Sequence, residues 1–327
     1  MPEALASYLL FLAKTATLVV AVGAVLALWT GSLRGTRPPA ERLEVKSLNR
    51  RYEGLRQAVR SGMMPRRQLA RLLRRERRGR GGPESGRRRV FVIDFRGDIR
   101  ATGVAALREE VSAVLSEAGP EDEVLVRLEN AGGLVHEHGL AASQLARVRD
   151  KGVPLTVAVD KVAASGGYLM ACVAGRILAA PFAVVGSIGV LAQLPNFHRL
   201  LERHGVDFEQ VKAGEYKRTV SLFGETTEEG RAKLREQVED THGLLKGFIA
   251  RYRPTVDLER VSTGEYWHGS QALEMGLVDE LTTSDDYLIA AMPEADVYQV
   301  RFAVQKRLAD RMVSAIRSAA ESRLLGS

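Results

Sequence analysis

Apolar positions along this chain fall into three regimes, and each predicts a different kind of element. From Ala4 to Trp29 the apolar run is nearly unbroken, relieved only by Ser, Thr, Gly and the single charge of Lys14. At about 1.5 Å per residue, a helix from Tyr8 to Trp29 would span a hydrocarbon core of about 30 Å. The pattern predicts an uncleaved membrane anchor, with Lys14 snorkelling and Tyr8 and Trp29 near the two interfaces. A cleaved signal peptide is the alternative. It lacks a basic start, and Leu-Trp-Thr-Gly-Ser is a poor small-residue cleavage site.

Past the anchor the pattern inverts. Residues 31–89 carry 19 Lys/Arg against 5 Asp/Glu, a net of +14 in a chain of formal net charge +7, so the remainder stands at −7. The stretch reads as a helical, solvated linker lying against anionic headgroups. Arg66, Arg67, Arg71, Arg74, Arg75, Arg77 and Arg78 have only Tyr52 as an aromatic neighbour, which argues against a nucleic-acid surface. Arg34, Arg37, Arg42, Lys46 and Arg50 follow the apolar run closely, and that excess places the body of the protein in the cytoplasm.

Gly81-Gly-Pro-Glu-Ser-Gly86 reads as a hinge. Beyond it, short continuous apolar runs alternate with helical spacing. Val90 to Phe95, Val124 to Leu128, Leu155 to Val159 and Ile177 to Ala179 read as strands. Gly103 to Leu115, His138 to Val148 and Gly166 to Ala174 read as the helices between them. Strands lacking polar alternation are covered on both faces, so the expected fold is α/β around a parallel sheet. Thr226 and Glu229 form a capping box, and Leu234, Val238, Leu245, Ile249 and Tyr252 share one helix face up to Pro254. Val304, Leu308, Met312, Ile316 and Ala319 predict a last amphipathic helix. The expected organisation is an anchor (1–30), a basic linker (31–89), an α/β body (90–300) and a terminal helix (301–327).

One cysteine, Cys172, excludes an internal disulfide; set among Leu169, Met170, Ala171 and Val173 it reads as a core residue. His136 and His138 diverge if helical, and no third ligand stands at metal spacing. The informative chemistry lies in Lys161-Val-Ala-Ala-Ser-Gly-Gly-Tyr168, followed 52 residues after Ser165 by Lys217 in Gly-Glu-Tyr-Lys-Arg. A serine among small residues brings backbone N–H groups to a reacting carbonyl, and a lysine can serve as base in place of histidine. Such a base must lose its proton: at a reference pKa near 10.4, about one lysine in 2,500 is neutral at pH 7. Burial away from carboxylates is what would lower that value.

Asn130-Ala-Gly-Gly133, Lys161-Val-Ala-Ala-Ser-Gly-Gly167, Val185-Gly-Ser-Ile-Gly-Val190, Gly214-Glu-Tyr-Lys-Arg218 and Trp267 to Asp279, in this order, resemble the SohB-type membrane proteases of the signal peptide peptidase A family. The resemblance covers roughly Val90 to Asp286 and implies a crotonase/ClpP-like spiral of parallel strands and crossover helices. It implies Ser165 as nucleophile, Lys217 as general base and Ser187 as the hydroxyl that orients the lysine amine. Gly166 N–H and Gly133 N–H are the expected oxyanion donors. Ala131 stands where the family usually has proline, which loosens that turn. The chemistry needs no metal or cofactor.

The function expected is that of a membrane-anchored serine endopeptidase acting on hydrophobic peptides, signal-peptide remnants or membrane-protein fragments, assembled as a homo-oligomer. The same kind of fold serves acyl-CoA enzymes, and a non-catalytic membrane scaffold is a further alternative. Relatives in the family face the periplasm, against the cytoplasmic side that the arginines favour.

Overall fold

The computed structural model describes residues 41–79 and 86–304, together with residues 7, 8, 10–12, 14–19 and 22. Eighteen of the thirty residues assigned to the anchor, residues 31–40 and 80 of the basic segment, residues 81–85 of the hinge and residues 305–327 lie outside the described residues. Among the described residues, no helix is long and apolar enough to cross a membrane. Two units can be distinguished, residues 43–302 and residues 1–42 with 303–327; the fold described below is that of the first.

In chain order the elements are β1 (Glu41–Ser47), α1 (Leu48–Met63), α2 (Arg66–Gly79), β2 (Arg88–Arg96), α3 (Val104–Glu117), β3 (Glu123–Glu129), α4 (Val135–Asp150) and β4 (Leu155–Val159). Then come β5 (Val162–Ala164), α5 (Gly166–Ala171), β6 (Arg176–Ala179), β7 (Val184–Gly186), α6 (His198–Arg203) and α7 (Glu228–Tyr252). The last are α8 (Leu258–Val261), β8 (Tyr266–His268), α9 (Gly269–Glu274), β9 (Glu280–Leu281), α10 (Ser284–Ala291) and β10 (Ala295–Val304). A seven-stranded sheet runs β1-β10-β2-β3-β4-β6-β9, and β5-β7-β8 form a second, smaller one. From β10 through β9 every neighbouring pair is parallel. Since β2, β3, β4, β6 and β9 follow one another in both sequence and space, the chain advances as a spiral, one strand per turn.

The absence of polar alternation in β2 and β3 has its cause in two apolar layers. Val90, Val92, Leu125, Ala158 and Leu178 pack on one face with Leu48 of α1 and Leu288 of α10. Phe91, Ile93, Val124, Val126 and Val157 pack on the other with Leu107, Leu145, Met170 and Ile249 of the crossover helices. Both faces are therefore covered, as parallel sheets require.

Three expectations need correction. The basic segment is not a linker throughout: β1 joins the sheet, and Asn49 at the start of α1 holds β10, donating to Ala295 O (3.0 Å) and accepting from Val297 N–H (2.7 Å). Its cationic surface is compatible with this because Leu48 alone supplies the buried anchor. Residues 301–304 belong to β10 and not to a helix; they continue the strand that pairs with β2 as far as Val300, and a bond from Phe302 N–H to the buried Glu110 carboxylate (2.8 Å) holds the extension. The cap of α7 is Thr227, whose hydroxyl accepts from Gly230 N–H (3.0 Å), one residue later than expected.

Candidate active site

The short β5 ends at Ala164, and Ser165 turns the chain directly into α5. Its backbone is left-handed, with φ 53° and ψ −118°, a conformation that costs a residue with a Cβ about 1–3 kcal/mol. Two bonds hold it there. Ser165 N–H donates to Gly186 O of β7 (2.7 Å), and Ser165 O accepts from Leu169 N–H of α5 (3.0 Å). From Ala163 to Ala174, Ser165 is the one residue that is not buried. A strained strand-to-helix turn thus lifts a single hydroxyl out of the core.

Against Ser165 lies the turn after β3. A Cβ added to Gly132 (φ +90°) would stand 2.8 Å from Ser165 Cβ and 2.9 Å from Gly166 N, so only glycine permits this approach. Gly132 N–H is already committed to Asn130 Oδ1 (2.9 Å), and Leu134 N–H to Ile99 O (2.9 Å). Gly133 N–H and Gly166 N–H bond to no described residue. These are the two donors expected from sequence, and both sit beside the turn that carries the serine. At six residues, α5 offers the local Gly166 N–H and not a long macrodipole.

Ser187 is also brought to the site. Parallel pairing of β5 with β7 sets Ala164 opposite Gly186, so Ser165 and Ser187 are neighbours at the ends of paired strands. Ser187 too is left-handed (φ 49°), held by its N–H to Glu265 O (2.7 Å).

Lys217 shares none of these hydrogen bonds. It is exposed, no hydrogen bond joins it to the serine, and it lines a shallow cavity of about 400 Å³ with Tyr216, Thr219 and Leu222, which Ser165 does not reach. The reason is tertiary. Beyond Val190 the chain makes an excursion whose internal contacts run through Phe197, Phe208 and Phe223 and through the Asn196 amide to Ser221 O and Gly224 O. Leu191, Leu194, Leu200, Val206 and Val211 along that excursion stay exposed.

Other candidates resolve simply. Cys172 is buried, which pushes its thiol up to about 12 and leaves it a core residue. His136 is exposed while His138 is fully buried, and no metal-binding group of His, Cys, Asp and Glu occurs among the described residues. Asp160 accepts from Ser284 N–H and Oγ–H (2.8 and 2.6 Å), tying β4 to α10. Sequence reasoning missed Asn130 and His138 as parts of the site. Their signal was an asparagine two residues before Gly132 and a histidine six residues after that glycine, on the first turn of α4.

The class is a parallel α/β spiral whose serine is raised at a strand–helix junction between free backbone donors. Within it the chain belongs to peptidase family S49: residues 147–298 match that family and residues 3–145 match its N-terminal region. The "Probable protease SohB" of Haemophilus influenzae is 56% identical over 67% of this chain and 62% of its own length. That of Buchnera aphidicola subsp. Acyrthosiphon pisum is 50% identical over 71% of this chain and 69% of its own. Among solved structures, a membrane-bound stomatin-specific protease covers 71% of this chain and 98% of its own at 12% identity, with a TM-score of 0.43, too low to add to the assignment.

Proposed function

We propose that this chain is a serine endopeptidase in which Ser165 is the nucleophile and Lys217 the general base. The observation that carries the reading is the pairing of a strained, half-buried serine with two unengaged backbone N–H groups, in a member of a peptidase family. A neutral Lys217 amine takes the hydroxyl proton as Ser165 Oγ attacks the peptide carbonyl. Gly133 and Gly166 N–H groups hold the oxyanion, each worth about 2.7–4 kcal/mol of barrier. The lysine then gives its proton to the departing amine, and later deprotonates the water that releases the acyl group. Ser187 orients the amine with a hydroxyl, which bonds it without restoring its charge.

Since Lys217 is exposed on an excursion with an apolar surface, the lysine and the desolvation it needs are supplied when copies of the chain assemble as a homo-oligomer. The substrate class is hydrophobic peptide, signal-peptide remnant or membrane-protein fragment. Residues 8–29 anchor the chain in a membrane, and the arginines that follow favour a cytoplasmic body over the periplasmic side of the relatives. The deciding experiment is covalent labelling by a serine-directed fluorophosphonate. Labelling of the assembled protein should vanish in Ser165→Ala and fall at least a hundredfold in Lys217→Ala. Mixing the two inactive variants should restore part of the peptidase activity where the dyad spans subunits. Undiminished labelling of either variant sinks the dyad.

A further inference from the structure

Asn130 and His138 are among the few polar side chains that are almost wholly buried, at 1% and 0% exposure, and they meet. The backbone of Asn130 is engaged with β5, the strand that delivers Ser165: its N–H donates to Val162 O (2.9 Å) and its O accepts from Ala164 N–H (3.0 Å). Its side chain turns toward the glycine turn, where Oδ1 accepts Gly132 N–H at 2.9 Å. A backbone N–H can only donate, so that atom is the oxygen, and Nδ2 faces Met170 Sδ at 3.3 Å. His138 Nε2 lies 3.2 Å from the same oxygen and donates to it in the tautomer that carries its hydrogen on Nε2. Nδ1 lies 3.0 Å from Leu134 O, one helical turn back.

The imidazole also touches the other half of the site. A Cβ on Gly166 would fall 2.5 Å from His138 Cγ, so the ring lies directly against the residue that follows Ser165. One side chain thus braces Gly166 by contact and the Gly132–Gly133 turn through Asn130. That turn holds Ala131, with no ring to restrict its φ.

We propose that His138, acting through Asn130, is a positioning residue that keeps Gly133 N–H aimed at the oxyanion. The bond from Gly132 N–H to Asn130 Oδ1 is a side-chain turn that restrains the backbone, and the histidine fixes the amide that makes it. The inference rests on the reading of Ser165 and Gly133 above.

The test separates hydrogen bonding from packing. In the full-length assembled protein, His138→Gln keeps a donor near Nε2 and loses the ring, whereas His138→Phe keeps a ring and loses the donor. Misaiming one donor lowers kcat by about 10- to 100-fold. The expected order is therefore wild type, then His138→Gln within about tenfold in kcat, then His138→Phe, with KM unchanged within about twofold throughout. Adding Asn130→Ala to His138→Phe should cost no more than the worse single change, as two members of one chain of contacts must. Fluorophosphonate labelling rates per folded protomer should follow the same order. His138→Phe matching or exceeding His138→Gln, independent effects in the double variant, or a loss confined to KM overturns the proposal. Where Ser165→Ala abolishes labelling and the His138 variants label at the wild-type rate, only this inference fails. Where Ser165→Ala still labels, the reading of the serine itself fails.

Discussion

Replacing Gly132 by alanine tests how tightly the turn and the serine are fitted. The new methyl would meet three atoms at once, Ser165 Cβ at 2.8 Å, Ala164 O at 2.9 Å and Gly166 N at 2.9 Å. None is the free end of a flexible chain, so the turn itself must withdraw. The left-handed φ of +90° adds strain of about 1–3 kcal/mol. At about 2–4 °C per kcal/mol for a domain of this size, Tm should fall by about 2–12 °C. The fold should survive, since Gly132 lies at the surface of the body and half exposed. Activity should fall far more. A displacement of about 1 Å at the turn carries Gly133 N–H out of reach, and the expected loss is about a hundredfold or greater. The assay is the rate of fluorophosphonate labelling beside a thermal melt. Gly139→Ala is the control, because a Cβ there meets nothing within 4 Å; in mid-helix it should leave labelling intact and raise stability by about 1 kcal/mol. Wild-type labelling by a folded Gly132→Ala variant would refute the argument that this turn and Ser165 form one site.

Ser165→Gly and Ser165→Ala should both be inactive, yet the glycine variant should melt higher, reversing the usual order, because only alanine keeps the left-handed strain; equal melting temperatures would remove the claim of strain. Burial works against ionisation of Asp279, but Arg253 on both oxygens (2.7 and 2.8 Å) and Ile177 N–H outweigh it and hold the carboxyl below its ordinary value. Its contribution to stability is complete above the unfolded value near 3.9 and is lost as pH falls through the lower folded value. Asp279→Asn should therefore lower Tm at pH 7 and flatten the loss of Tm below about pH 4, which melts across pH 2–7 would check. Cys172, with its thiol pushed up to about 12 by burial, should resist maleimide in the native protein and react once unfolded, as mass spectrometry of the intact chain would register.

By itself the chain's pattern determined the elements that depend on local spacing. Leu155 to Val159 is a strand at its expected limits, and the helices from Val104, Val135 and Gly166 lie within a few residues of where the apolar periodicity puts them. Ser165 and Gly166 were singled out because they stand among small residues just past a strand end, where a sharp turn falls; Gly133 was picked from the glycine turn after β3, and Ser187 entered only through the family resemblance. Other features were decided by contacts distant in sequence. The course of β10 depends on pairing with β2 as far as Val300 and on Glu110 at Phe302, more than 190 residues earlier, and a local helical period cannot register such partners. The roles of Asn130 and His138 arise only when β3, α4 and α5 converge, since a buried polar pair is identified by its partners and not by its neighbours in the chain. The position of Lys217 follows from how the excursion after Val190 packs on its own phenylalanines. A motif specifies which residues carry the chemistry, but the water around a lysine is set by everything folded against it.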